Sequence, residues 1–253
     1  MMLTKIIGPY IGTLVNFAVV LVMGIVGSLV KKGIPKRFSE SVMSAMAICV
    51  IYIGIDGVLE AAPDTSANAP LLTPGLFKVL VMVISMAIGT LVGELIDIDG
   101  GMNKFGDFAS KKLGKLGKNE NFAKGFVSCS ILFCVGAMAV NGAIASAAGD
   151  HQLLLTKSVI DGVSVFVMAS TLGIGCAFSA FFVLLYQGVL TLFGTGLVEI
   201  LSATTITYMS VTGSLIVILL GTNVLGITKI RTANMIPAMF AAIGVEVLLN
   251  LIF

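Results

Sequence analysis

Residues 11–30 read IGTLVNFAVVLVMGIVGSLV (Ile11–Val30), and the chain then turns at once into Lys31-Lys32-Gly33-Ile34-Pro35-Lys36-Arg37. An uncharged run of this length makes a helix of about 30 Å, the thickness of a bilayer's hydrocarbon core. A cleaved leader would have a shorter apolar stretch and a small-residue cleavage site, so the run is expected to be a retained span. Further blocks of the same kind lie at 40–60, 76–97, 122–147, 157–176, 206–226 and 234–253. The stretch 178–194 is also apolar but short for a crossing. The expectation is an all-α polytopic transmembrane bundle of seven spans, eight if 178–194 crosses, in one domain over 1–253. Composition agrees, with 57% hydrophobic and 11% charged residues against about a quarter charged in soluble domains. No water-facing surface can be built from blocks without charge.

Basic residues set the expected orientation. Lys31, Lys32, Lys36 and Arg37 flank the first loop, and Lys104, Lys111, Lys112, Lys115, Lys118 and Lys124 crowd a later segment, while 61–75 has none. Positively charged loops stay cytoplasmic. This places the amino terminus outside and the loops 31–37 and 98–121 inside. Lys229 and Arg231 vote for 227–233 inside as well, which would need 178–194 to cross. Within 100–118, Met102, Phe105, Phe108, Ala109 and Leu113 fall at helical spacing among lysines, as in an amphipathic helix lying on the inner leaflet.

Cys49-Val50-Ile51-Tyr52-Ile53-Gly54-Ile55-Asp56-Gly57 resembles Cys134-Val135-Gly136-Ala137-Met138-Ala139-Val140-Asn141-Gly142, and Gly221-Thr222-Asn223 is a third, shorter match. These suggest one helical hairpin used three times, over about 10–60, 76–147 and 157–226, with 234–253 as a closing helix. Keeping one direction in all three copies gives seven spans. Repeats of this kind place binding sites at their interfaces in transporters.

A charge near the bilayer centre costs at least about 2.5–3.5 kcal/mol on insertion scales and faces a partner or a cavity. Asp56, Asn141 and Asn223 occupy matching places and could converge on a solute path or cap their helices beside glycines. Lys157 and Asp161 are four apart, hence on one helix face, as an interfacial pair or as part of a path. Asn16, Tyr186 and Gln187 complete the candidates for a solute or ion path. Glu94, near Asp97 and Asp99, reads as interfacial. Glu246 and Asn250 share a spacing of four and could contact a second subunit, as in a homodimer, or the path.

Cys49, Cys129, Cys134 and Cys176 read as small buried hydrophobes. A lone His151 gives no metal site. No phosphate-binding glycine loop occurs. No catalytic constellation is seen, so an enzyme is not expected, nor a cofactor or a nucleic-acid partner. The partners are the lipid bilayer and a small solute or ion. An ion channel, or a membrane subunit or sensor docking a partner on the basic 104–124 surface, are the alternatives.

Several strings carry a resemblance. They are Gly12-Thr13-Leu14-Val15-Asn16, Gly93-Glu94-Leu95-Ile96-Asp97-Ile98 and Leu153-Leu154-Leu155-Thr156-Lys157-Ser158-Val159-Ile160-Asp161-Gly162. Leu184-Leu185-Tyr186-Gln187-Gly188 and Lys229-Ile230-Arg231-Thr232-Ala233-Asn234-Met235-Ile236-Pro237-Ala238 follow. Together they resemble the bacterial YdfK/YqgA-like membrane proteins over almost the whole chain. The resemblance implies a bacterial inner-membrane protein and a transporter, with a relation to transporters of queuosine precursors. It implies no catalytic residues, and it draws interest to Asn16, Lys157, Asp161, Tyr186, Gln187 and Asn234.

Overall fold

The computed structural model describes residues 8–30, 35–60, 74–112, 121–134, 137–147 and 149–252. Among these residues every regular element is helical: α1 (Ile11–Val30), α2 (Lys36–Glu60), α3 (Pro74–Ile96), α4 (Ile98–Lys112), α5 (Phe122–Cys134), α6 (Ala137–Ala147), α7 (Gln152–Leu172), α8 (Gly175–Ile200), α9 (Ala203–Val224) and α10 (Ile236–Ile252). Without water to bond the backbone, a spanning segment satisfies its N–H and C=O groups internally, and the helix does this. The outer surface is apolar: Leu95, Leu185 and Leu251 are largely exposed, whereas Thr13, Asn16, Ser130 and Gln187 are fully buried. This is the distribution of a bundle facing lipid.

Seven helices are long and apolar enough to cross a membrane, namely α1, α2, α3, α7, α8, α9 and α10. The segment 178–194, read above as too short, lies inside the 26-residue α8. The interrupted crossing is 122–147 instead, where α5 and α6 meet at 63°. Counted as one broken span, they make an eighth. Gly194 looked like the end of the apolar segment, but it stays in the helix, and an added Cβ would lie 2.6 Å from the Ala147 side chain. Small residues in lipid serve close packing of this kind.

Close contacts fix the directions of the helices. Gly12 lies against Leu154, Gly162 against Val19 and Gly27 against Phe166, so α1 and α7 run parallel. Thr13 meets Thr191, Asn16 meets Gln187 and Gly24 meets Ala177, so α1 and α8 run antiparallel. Gly89 and Gly93 lie against Ala238 and Asn234, which makes α3 and α10 antiparallel too. The pair α2 and α9 is reciprocal. Gly54 packs on Ser214 and Ile218, and Gly221 packs on Ala47 and Ile51, so the spacing Ala47–Ile51–Gly54 recurs as Ser214–Ile218–Gly221. The first three helices thus pair in order, inverted, with the last three.

Three like hairpins are not what these contacts give. The unit 157–226 holds α7, α8 and α9 rather than two helices, and α9 runs opposite to α2.

One end of the bundle gathers the charges. Arg231 pairs with Glu94 and lies 3.8 Å from Asp97, and the Asp99 N–H donates to Asn234 Oδ1 at 2.7 Å. Asp97 itself adopts φ 56° at the corner where α3 turns into α4. The α4 helix packs on α5 through Phe105 and Phe126, with ring centroids 5.6 Å apart, and leaves Phe108 exposed. Residues 113–118 of the expected amphipathic helix lie outside the described residues. At the opposite end, the Ser146 hydroxyl donates to Pro9 O at 2.7 Å and also bonds His151 Nδ1 at 2.7 Å. Lys229 and Arg231 therefore share an end with Lys104 and Lys124.

Gly89→Ala is expected to lower the unfolding midpoint of the solubilised protein by several degrees, because its methyl would overlap the Ala238 backbone; overpacking costs about 1–3 kcal/mol. Gly244→Ala, whose methyl meets nothing within 4 Å, should leave the midpoint unchanged or slightly raised. A thermal melt of the two variants beside wild type checks both.

Candidate functional site

The α7 helix carries Lys157 and Asp161 one turn apart, and both are buried, at 5% exposure. The Lys157 ammonium donates to Asp161 Oδ2. The same oxygen accepts from Asn16 Nδ2 of α1 at 3.3 Å, and Asn16 Nδ2 also donates to Gln187 Oε1 of α8 at 3.2 Å. Three helices are thus joined by one polar chain, Lys157–Asp161–Asn16–Gln187. Beside it, Thr13 and Thr191 share a hydrogen bond at 3.3 Å, and Thr191 reaches Ala143 O of α6 at 3.3 Å. Both side chains are largely covered by protein, at 7% exposure each.

The chain is incompletely satisfied. Asn16 Oδ1, Gln187 Nε2, Tyr186 Oη and Ser130 Oγ are buried with no hydrogen-bond partner. Buried polar groups are nearly always bonded, so each such orphan needs an account. Phe133, the penultimate residue of α5, stacks its ring 5.7 Å from Lys157 Nζ, which brings the bend between α5 and α6 against the ion pair.

A cavity of about 160 Å³ opens on this cluster. Its walls come from α2 (Ile53, Asp56, Gly57), the α5–α6 bend (Leu132, Phe133, Met138, Ala139), α7 (Lys157, Ile160, Asp161, Ser164) and α9 (Ser210, Ser214, Val217). Two carboxylates face one ammonium there. Lys157 is engaged by Asp161, and among the described residues no ion pair holds Asp56. The lining therefore carries one net negative charge, with serine hydroxyls and apolar surface around it.

Of the sequence candidates, Asp56, Lys157 and Asp161 share the cavity, and Asn16 and Gln187 join it through Asp161. Tyr186, next to Gln187 in α8, is half-buried, with its hydroxyl buried and unpaired. Asn141 is half-buried on α6, and no hydrogen bond joins it to the cluster among the described residues.

Asn223 is elsewhere. Its Oδ1 accepts from Thr228 Oγ1 at 2.7 Å and from Ile230 N at 2.9 Å, and its Nδ2 donates to Ile230 O at 2.6 Å. It ties down the turn after α9 at the charged end, so the expected convergence of Asp56, Asn141 and Asn223 does not occur. The antiparallel course of α9 is the reason. Glu246 turns inward, with Thr205 bonded to it and Oε2 unpartnered, whereas Asn250 is exposed, so the two do not form one surface. Cys49 is exposed rather than buried, unlike Cys129, Cys134 and Cys176. Sequence reading missed Ser164, Ser210 and Ser214. Their signal was spacing: Ser164 follows Asp161 by three, and Ser210 and Ser214 are four apart.

Asp161→Ala would leave a buried ammonium without its partner, a loss of about 3–5 kcal/mol. Replacing both members, Lys157→Met with Asp161→Leu, is expected to recover most of that loss. Thermal melts of the single and the double variant test the sign.

The family model described as "Protein of unknown function (DUF554)" matches residues 11–247. The chain is 30% identical over 229 residues to "Uncharacterized membrane protein YdfK" of Bacillus subtilis (strain 168), covering 90% of this chain and 92% of that one. It is 26% identical over 241 residues to "Uncharacterized protein YqgA" of Escherichia coli (strain K12), covering 94% of each. No solved structure matches.

Proposed function

We propose, from the premise that the chain belongs to this DUF554 family, that it is a membrane transporter of a small solute bearing a positive charge. The observation that carries the reading is the cavity beside the bent α5–α6 pair. There, Asp56 of α2 and the Lys157–Asp161 pair of α7 line the same space, and buried polar atoms of the adjoining chain lack partners. An ionisable cluster enclosed in a membrane bundle is costly, and a cationic solute beside Asp56 would offset part of that cost. Broken spans and inverted pairing around a central site are recurrent features of secondary transporters. The order α1–α2–α3 against α8–α9–α10 supports the same reading.

Asp56 is the group that would meet a cationic centre, since Lys157 is held by Asp161 and the lining keeps one net negative charge. Asn16 and Gln187 lie outside the lining, behind Asp161, and would position its carboxylate. The chain would lie in a bacterial inner membrane, with the basic end cytoplasmic by the positive-inside rule.

A thermal-shift screen of small organic cations on the purified protein tests binding, and uptake of any hit into proteoliposomes tests transport. Wild type is expected to accumulate the hit. Asp56→Asn should reduce uptake at least tenfold while the protein remains inserted and monodisperse. Wild-type uptake by that variant would remove Asp56 from the site. Stepwise single-channel currents in a planar bilayer would replace the carrier reading with a channel.

A further inference from the structure

A second cavity, of about 500 Å³, opens at the charged end of the bundle between α4, α5, α9 and the turn 226–232. It shares two walls with the first. On α5 it reaches Val127 and Ser128, while the first cavity begins at Leu132. On α9 it reaches Leu220, while the first cavity ends at Val217. At 1.5 Å per residue these gaps are about 6 Å and about 4.5 Å, one turn of helix on either side.

We infer that the two cavities are the two mouths of one path, closed between α5 and α9 by an apolar septum one turn thick, and that Val217 and Leu220 form its α9 side. This rests on the transporter reading above and adds the route to it. The septum is uncharged and mainly apolar: Ile131, Val217 and Leu220 are buried to 3% exposure or less, and Leu132 to 7%, with the Ser130 hydroxyl between them on α5. A cation held at Asp56 therefore faces a single apolar barrier toward the charged end. Behind it lies low-dielectric hydrocarbon one turn deep. Beyond that lies a polar chamber with Asp99, Asn103 and Lys124 on its wall. There the Asp99 carboxyl is held above the usual carboxylate range by burial, against the opposing pull of Arg231.

Thinning the septum should convert a closed path into a leak. The probe is radiolabelled tetramethylammonium, a permanent cation that cannot cross lipid as a neutral base, with its passive efflux followed from proteoliposomes holding the full chain. Val217→Ala combined with Leu220→Ala is expected to raise efflux at least tenfold over wild type. Leu219→Ala, on the same turn but outside both linings, should not. Val217→Thr keeps the side-chain volume and wets the septum, so it should leak severalfold even if the double variant fails to fold. Efflux at the wild-type level in Val217→Thr and in any folded double variant would overturn the inference, and so would an equal leak in Leu219→Ala. If no solute is accumulated by wild type yet the septum variants leak selectively, the transporter reading fails and the route stands.

Discussion

Neither Lys157 nor Asp161 could remain inside a lipid-facing bundle alone. Removing a charge from water costs several kcal/mol per ion even after relaxation, and attraction between the partners offsets this only with good geometry and further hydrogen bonds. The helix supplies the first requirement, since residues four apart meet on one face. Asn16 supplies part of the second by donating to the same carboxylate oxygen. Because that amide belongs to α1 and bonds α8 in turn, satisfying the pair also decides which helices gather around α7. The close glycine contacts of α1 with α7 and α8 are the steric complement of that electrostatic demand.

The remaining architecture encloses this cluster and leaves a cavity beside it. Phe133, near the end of α5, stands over the ammonium, and the cavity is lined by it and by Met138 and Ala139 of α6. Asn16 Oδ1 and Gln187 Nε2, buried without partners behind Asp161, make this interior costly.

Much of the fold was legible in the chain. Uncharged runs of bilayer length identify helices directly, and the spacing of Lys157 and Asp161 announces a pair. What hydropathy does not encode is direction and continuity. The string around Cys134 is as apolar as its neighbours, so the bend next to it leaves no mark. The apolar stretch stops at Gly194, but the helix does not, and there the missing side chain admits Ala147. The match between Asp56 and Asn223 was local, and local matches carry no sign for the helix axis, so a residue tying down a turn resembled one lining a cavity. The bonds of Asn16 span 145 and 171 positions in the chain. No spacing rule reaches that far.

The reciprocal contact of α2 with α9 has a consequence for motion. Gly54 on Ile218 and Gly221 on Ile51 are the same contact made twice, with the roles of the two helices exchanged. A small rocking about its midpoint opens one copy as it closes the other, so to first order the two tilts are equal in energy. Such a pivot is balanced. Any resting preference of the molecule then has to come from where the two helices differ. The differences beside the pivot are Ser214 standing where α2 has Ala47, and Asp56 on one side of the contact with Asn223, already bonded, on the other. The uneven polar load beside a symmetric contact therefore decides which tilt of the pair is preferred.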